Sequence, residues 1–248
     1  MINDTLLYLY PFFTIHFLLA LQEEGVLEFQ LGTLEWVWDE KAIETKFVAA
    51  NVADLMRRKL IALPQDLQMI LQVCACLGCD FDLRTLELAT SAFPIGTMAL
   101  NLKEHMEEAI TAGVISHSGQ IYSFVHDQLQ AASFNLIDKE DSNAFQGKIG
   151  RAIIDNACDD EVDALLLIAI DLCNCDAAAL SLTTADKIKF ATLNLRAGQQ
   201  AIANSAFSSC TSYLQCGIAL IEYGIEFNDT RELQINLYGT CAQAHFCK

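Results

Sequence analysis

Apolar residues recur at intervals of three and four along most of the chain, which is the spacing of one face of an α-helix. One such face runs from Phe12 to Leu21 and stops at Gly25, a residue type that often terminates helices. Pro64 and Pro94 mark two later breaks between helices. The spacing predicts further helices over residues 51–60, 67–78, 83–92, 99–112, 127–135, 144–157, 162–173, 184–197, 199–223 and 230–246.

Two stretches interrupt the helical spacing. Residues 26–38 are rich in β-branched and aromatic side chains, with Gly32 near the middle, which predicts a short β-hairpin or an extended link. The second hairpin is predicted at 114–124, where two short apolar strands flank the turn signal of Ser118 and Gly119. The chain is therefore expected to be mainly helical with very little sheet.

The order of these elements predicts a mainly α fold in three parts. Residues 63–142 contain three helices and then a two-stranded wing, which is the order of a winged-helix domain with a small β-hairpin. Residues 143–248 predict successive antiparallel helices of the TPR-like kind. Small residues between Ala197 and Gly217 permit close approach of those helices. Residues 1–62 form a separate helical segment and linker.

The charge balance narrows the range of partners. The chain has 15 Lys and Arg residues against 32 Asp and Glu residues, which gives a formal net charge of −17. Binding to nucleic acid or to anionic lipid depends on clustered cations, so the composition argues against both. The helix that would read DNA in a winged-helix protein, at 100–108, carries three Glu against one Lys. We therefore expect protein partners, no nucleic acid and no membrane.

The cysteines and the N-terminal apolar run indicate a cytoplasmic chain. Disulfide scaffolds are usually short and rich in turns, whereas this chain has ten cysteines in 248 residues with few Gly and Pro. We expect reduced thiols that pack as small apolar groups. The run from Leu6 to Leu21 is shorter than the roughly 20 residues that span a bilayer. Because no Lys or Arg precedes Lys41, a signal peptide is not expected, and the run is predicted to be a buried helix.

Few patterns in the chain could carry chemistry. There is no Gly-x-x-x-x-Gly-Lys-Ser/Thr phosphate loop, and residues 36–40, which resemble the end of a Walker B strand, are predicted to be a solvated turn. Cys74-x-Cys76-x-x-Cys79 lacks a nearby second pair for zinc, so core packing is the better interpretation. The acidic run at 155–163 lacks EF-hand spacing and predicts a solvated loop between helices. No metal site and no catalytic residue is predicted.

Val125-His126-Asp127 joins the second predicted hairpin to the next helix. Aspartate is a common residue type at helix N-caps, so one interpretation makes Asp127 the cap with His126 beside it. The other interpretation gives His126 a functional role. The residues alone leave both interpretations open.

Several short motifs follow one another in a recognisable order. They are Pro11-Phe12-Phe13, Phe17-Leu18, Glu23-Glu24-Gly25, Trp36-Val37-Trp38-Asp39, Asn51-Val52-Ala53-Asp54-Leu55-Met56, Leu63-Pro64, Cys74-Ala75-Cys76-Leu77-Gly78, Phe81-Asp82-Leu83, Phe124-Val125-His126-Asp127, Asn194-Leu195-Arg196-Ala197-Gly198, Tyr213-Leu214 and Gly217-Ile218-Ala219-Leu220. This order resembles the helical lid, winged helix and start of the TPR-like region of STAND-class AAA+ ATPases. The resemblance is to members found in large signalling proteins that combine Ser/Thr kinase and histidine kinase domains.

The resemblance implies two nucleotide contacts. In this family the lid proline packs near the adenine and a winged-helix histidine contacts the β-phosphate of ADP, which implies these roles for Pro11 and His126. Leu9 and Tyr10 depart from the Gly-Asn that precedes the family's proline. The family's phosphate loop and Walker B strand would lie before residue 1. The resemblance therefore implies that residues 1–62 are the remnant of a lid and linker, and that ATP or ADP binds only in a complete parent module.

Two functional hypotheses follow. The first is a non-catalytic regulatory fragment of a STAND-type ATPase in a signalling kinase, which acts as a nucleotide-dependent conformational switch and contacts other domains or protein partners. The alternative is a self-standing acidic helical scaffold for protein interaction. Neither hypothesis makes this chain an enzyme or gives it a cofactor of its own.

Overall fold

The computed structural model describes residues 15, 18–19, 21–22, 25–43, 52–93, 102–176, 182–222 and 227–246. It confirms a mainly α fold with small antiparallel hairpins. The strands are β1 (Leu27–Gln30), β2 (Glu35–Trp38), β3 (Asp80–Asp82), β4 (Ile115–Ser118) and β5 (Ile121–Phe124). The helices are α1 (Val52–Ile61), α2 (Gln65–Leu77), α3 (Leu83–Thr90), α4 (Leu102–Thr111), α5 (Asp127–Phe134), α6 (Ser142–Asn156), α7 (Asp159–Asn174), α8 (Thr184–Ala203), α9 (Phe207–Glu222) and α10 (Phe227–Phe246).

Hairpins are confirmed at both residues 26–38 and residues 114–124. Strands β1 and β2 pair antiparallel with Leu27 opposite Trp38, and β4 pairs antiparallel with β5, which lies between β4 and β3. Ser118 stands opposite Ile121, so the second hairpin has a two-residue loop. Gly119 opens that loop at φ 65°, a left-handed conformation that glycine adopts without steric cost.

The chain divides into two compact units. The first unit comprises Met1–Asp80 and Lys103–Leu136, and the second comprises Phe81–Leu102 and Ile137–Lys248. In the first unit, α5 packs against both α1 and α2. The buried side chains of that unit include Met56, Leu60, Leu67, Ile70, Leu71, Met106 and Leu129.

In the second unit, successive helices pack against one another. Helix α6 contacts α3 and α7, α8 contacts α7 and α9, and α10 contacts α9 and α8. One continuous core joins the later helices, with Ile170, Leu214 and Leu237 fully buried in it. The regular packing of neighbouring helices follows from apolar faces that repeat at helical spacing.

The predicted break between helices at Gly198 is wrong. Helix α8 continues through Gly198 to Ala203, and the chain turns at Ser205, whose φ is 58°. A Cβ atom built on Gly198 would lie 2.9 Å from Cδ2 of Leu214 on α9. Gly198 therefore lets two helices approach closely and does not end one of them.

The helix that precedes Gly25 ends as predicted, but its burial is only partial. The Val26 N–H donates to the Leu21 carbonyl at 2.9 Å and the Gly25 N–H donates to that of Gln22 at 3.1 Å, which together form a Schellman cap. Leu21 is buried, whereas Leu18 is 46% exposed and Leu19 is 47% exposed. The expectation of a buried helix is wrong at these two leucines, because the elements described beside them leave a cleft open.

Candidate functional site

His126 occupies the junction between β5 and α5. It is the N-cap residue of α5, and its half-buried imidazole accepts a hydrogen bond at Nδ1 from the Gln128 N–H at 3.1 Å. The His126 carbonyl begins the helix by accepting from the Leu129 N–H at 2.9 Å. An imidazole nitrogen that accepts a hydrogen bond carries no proton, so in the neutral ring the proton is on Nε2.

This geometry corrects the assignment of Asp127 as the helix cap. Asp127 is the first helical residue, and the cap interaction belongs to His126. The exposed Asp127 carboxylate lies in the first turn, where the positive end of the helix dipole favours a negative charge. The same carboxylate would oppose a second anion, such as a phosphate, at this helix end.

Neighbouring hydrogen bonds hold the His126 junction in place within the first unit. Ser123 on β5 donates its hydroxyl to Asp80 Oδ1 at 2.6 Å. Gln130 on α5 donates from Nε2 to the Ala75 carbonyl on α2 at 3.3 Å, and its Oε1 accepts from Cys79 Sγ at 3.4 Å. The strand before His126 and the helix after it are therefore both tied to the segment around the end of α2.

The second predicted nucleotide contact cannot be placed beside the first. Pro11 lies outside the described residues, so the proposed pairing of Pro11 with His126 stays a prediction.

Residues 36–40, predicted to be a solvated turn, instead continue strand β2 to Trp38. Asp39 then caps a short helical turn, with its Oδ1 accepting from the Lys41 N–H at 3.0 Å and the Ala42 N–H at 3.1 Å.

The described cysteines differ in burial: Cys74 and Cys210 are buried, whereas Cys79, Cys158 and Cys175 are exposed. Cys74 is fully buried in α2, and burial raises the pKa of its thiol well above the usual range. Burial likewise raises the pKa of Cys173 to about 12. In the part of the chain that the structure describes, no three His, Cys, Asp or Glu side chains come together in a group that could hold a metal ion.

The prediction that the acidic run at 155–163 forms a loop between two helices is wrong. Asp155 lies in α6, and residues 159–163 begin α7. Three of its carboxylates form ion pairs with side chains on other helices, and these pairs lie at the solvent-exposed surface. The pairs are Asp155 with Lys189, Glu161 with Arg84, and Asp163 with Arg196.

The pKa of the Glu161 carboxyl lies well below its ordinary value. Arg84 Nε donates to Glu161 Oε1 at 2.8 Å and Arg84 Nη2 donates to Oε2 at 3.2 Å, which is a bidentate arrangement. The Cys158 N–H adds a third hydrogen bond, to Oε2 at 3.0 Å. The Arg84 guanidinium, and then this backbone N–H, lower the pKa of Glu161 to about 2.

An apolar cleft beside the first hairpin was not anticipated from the sequence. We call it the hairpin cleft; its volume is about 470 Å³. The residues that line it are Ile15, Leu18, Leu19, Gln22, Leu27, Trp36 and Trp38. The alternation of Leu27 with Phe29 and of Trp36 with Trp38 is the signal that places these side chains on one face of the hairpin.

Comparisons with known proteins give one informative similarity. The chain is 25% identical over 181 residues to a protein from Dictyostelium discoideum described as hybrid signal transduction histidine kinase G. The alignment covers 57% of this chain and 5% of that protein, so the chain corresponds to a small part of the relative's length. No family model matches and no solved structure matches. Across the described residues, every helix is too short or too polar to traverse a bilayer.

Proposed function

We propose that this chain is a non-catalytic regulatory region of a signalling protein, built from the later part of a STAND-type ATPase module. The observation that carries the proposal is the similarity to a hybrid signal transduction histidine kinase. The ordered motifs that resemble STAND ATPases include Phe124-Val125-His126-Asp127, and His126 stands at the start of α5 with an oriented imidazole. In this proposal His126 contacts ADP and the helices of the second unit carry the resulting change to other domains or protein partners in the cytoplasm.

The proposed switch has no catalytic step in this chain. ATP or ADP would be held mainly by a phosphate loop in the complete module, and His126 with Pro11 would add contacts that depend on the nucleotide state. A ligand that binds one conformation better shifts the population toward it by its difference in affinity. The imidazole is suited to such sensing, because Gln128 fixes its orientation before any ligand arrives.

Thermal unfolding of the complete module, with and without millimolar Mg-ADP, tests this proposal. A ligand present at about 100 times its dissociation constant adds about 2.7 kcal/mol to the native state, which is a measurable rise in Tm. The variant His126→Asn separates the two roles of the side chain, because asparagine caps helices well but has no imidazole. We expect ADP to raise the Tm of the complete module and to raise that of its His126→Asn variant less.

The matched control is His245→Ala, which changes an exposed histidine on α10 in the second unit. It should keep the full response to ADP. A response that survives intact in His126→Asn would contradict the assigned contact. The absence of any response in the complete module would contradict nucleotide sensing and favour the alternative, an acidic helical interaction scaffold with a net charge of −17.

A further inference from the structure

The hairpin cleft presents an unusually apolar lining on an exposed hairpin. Cross-strand pairing sets Leu27 opposite Trp38 and Phe29 opposite Trp36, so four large apolar side chains share one face. Trp36 is 47% exposed and Trp38 is 58% exposed. Exposed apolar patches of this kind on otherwise polar surfaces often mark binding sites.

The surroundings of the hairpin cleft are acidic. Four acidic residues, Glu28, Glu35, Asp39 and Glu40, are exposed on or next to the hairpin, together with one exposed cation, Lys41. Charges on a two-stranded ribbon act over about 8–10 Å at physiological ionic strength, so they influence a ligand on the opposite, apolar face.

We propose that the hairpin cleft binds a basic amphipathic α-helix of a protein partner. The apolar face of such a helix would bury Trp36 and Trp38, and its Lys and Arg side chains would lie within electrostatic range of the carboxylates on the other face of the hairpin. Amphipathic helices commonly bind in apolar grooves, and tryptophan is enriched among the residues that dominate such interfaces. A cleft of about 470 Å³ lies within the range of ligand pockets.

Charge selects this occupant over two others. A second copy of this chain carries the same net charge of −17, so its approach to an acidic hairpin is unfavourable. An anionic lipid surface is repelled for the same reason. The cleft shares no residue with the His126 junction, although its helical side belongs to the segment that follows Pro11, and peptide binding is measured without nucleotide.

Tryptophan emission of the full chain tests the proposal directly, since Trp36 and Trp38 are its two tryptophans. The probe is an 18-residue peptide of leucine and lysine, with leucine at helical spacing. The control peptide has glutamate at every lysine position. We expect the basic peptide to shift the emission to shorter wavelength in a saturable way that weakens as salt rises. The acidic peptide should produce no shift.

Matched variants show whether the peptide occupies the cleft. Leu27→Lys places a cation in the lining, and we expect it to weaken peptide binding about tenfold or more. Leu31→Lys makes the same change at a residue that is 81% exposed outside the lining, and it should leave affinity within about threefold. Circular dichroism verifies that both variants fold. Glu35→Gln retains the lining and should weaken binding about threefold through charge alone.

Several results would overturn the proposal. Equal binding of the acidic and basic peptides would show that charge does not select the occupant. Equal weakening by Leu27→Lys and Leu31→Lys would place the peptide outside the cleft. An emission shift that grows with protein concentration in the absence of peptide would identify a second copy of the chain as the occupant. A shift on zwitterionic vesicles but not on the basic peptide would identify a lipid surface.

Discussion

The helices of the second unit and the hairpin of the first use apolar residues in opposite ways. In the second unit, Leu214 and Leu237 are completely buried and neighbouring helices approach closely enough to exclude a methyl group at Gly198. In the hairpin, Trp36 and Trp38 retain about half of their surface in contact with solvent. Apolar side chains thus stabilise one region, whereas in the other they form a surface that a ligand can bury.

The contrast extends to polar groups. Asn194 is buried in the second unit, where its side chain donates to the Phe190 carbonyl at 3.0 Å and exchanges hydrogen bonds with Asn174. Asp176 is also buried, and Arg151 donates to it at 2.8 Å. The hairpin instead exposes its acidic residues Glu28 and Glu35. The buried polar groups of the second unit are thus satisfied internally, which is expected of a packed core.

The largest expected effect is on stability, and it comes from comparing a substitution to alanine in the core with one at the surface. Leu237→Ala should lower the free energy of unfolding of the second unit by about 3 kcal/mol, because it leaves a cavity in a fully buried site. Trp38→Ala removes a larger side chain from an exposed site and should cost less than about 1 kcal/mol. Urea unfolding followed by circular dichroism measures both. Similar losses would mean that the hairpin face is part of a stabilising core.

A second pair of variants tests close packing, because the same Gly→Ala substitution should destabilise the protein at one site and stabilise it at the other. A Cβ on Gly150 of α6 would lie 2.5 Å from the Ala169 carbonyl oxygen and 2.8 Å from the Cys173 nitrogen, so Gly150→Ala should destabilise by about 2 kcal/mol. Gly239 of α10 has open space around the same position, so Gly239→Ala should stabilise by about 0.5–1 kcal/mol through helix propensity. Two stabilising changes would contradict the close contact of α6 with α7.

The smallest expected effect concerns pH. The folded pKa of Glu161, about 2, lies below its ordinary value of 4.5, so its pairing with Arg84 stabilises the folded chain above pH 4.5. This contribution is lost as pH falls from 4.5 toward 2. The stability difference between the native chain and Glu161→Gln should therefore be present at pH 7 and shrink across that interval. Glu232→Gln, at an exposed position on α10, is the control and should show no such change. A difference independent of pH would contradict the ion pair.

Local patterns were enough to predict most elements of this fold. The second hairpin followed from alternating side chains and a glycine at the turn, both of which act over a few residues. The end of the helix that precedes Gly25 was predicted from that glycine in the same way. Gly198 was misinterpreted because its role depends on Leu214, which is remote in sequence and adjacent in space. Contacts of that kind leave no signature in periodicity.

The candidate sites differ in how far the sequence could indicate them. His126 was singled out by its place between the second hairpin and the next helix, and only its nucleotide contact came from a resemblance. Its role as the cap of α5 required the structure, because the start of a helix can shift by one residue between two plausible caps. The sequence predicted a hairpin or an extended link at residues 26–38, but it was the register of the strands that placed Leu27 and Phe29 on one apolar face. Whether another element would cover that face is decided by tertiary packing, so exposure of the cleft could not be inferred.

The division of the chain into units has a consequence for the order of folding during synthesis. The segment Phe81–Leu102 belongs to the second unit but emerges from the ribosome before Lys103–Leu136, which completes the first. Helix α3 must therefore wait for α6, with which it packs, and the Arg84 pair joins residues 77 positions apart. Each unit is assembled from two separate stretches, so neither can be complete when its first stretch is translated. Maturation of the two units is interleaved in time, and early termination after Leu136 would leave α3 without its partner helices.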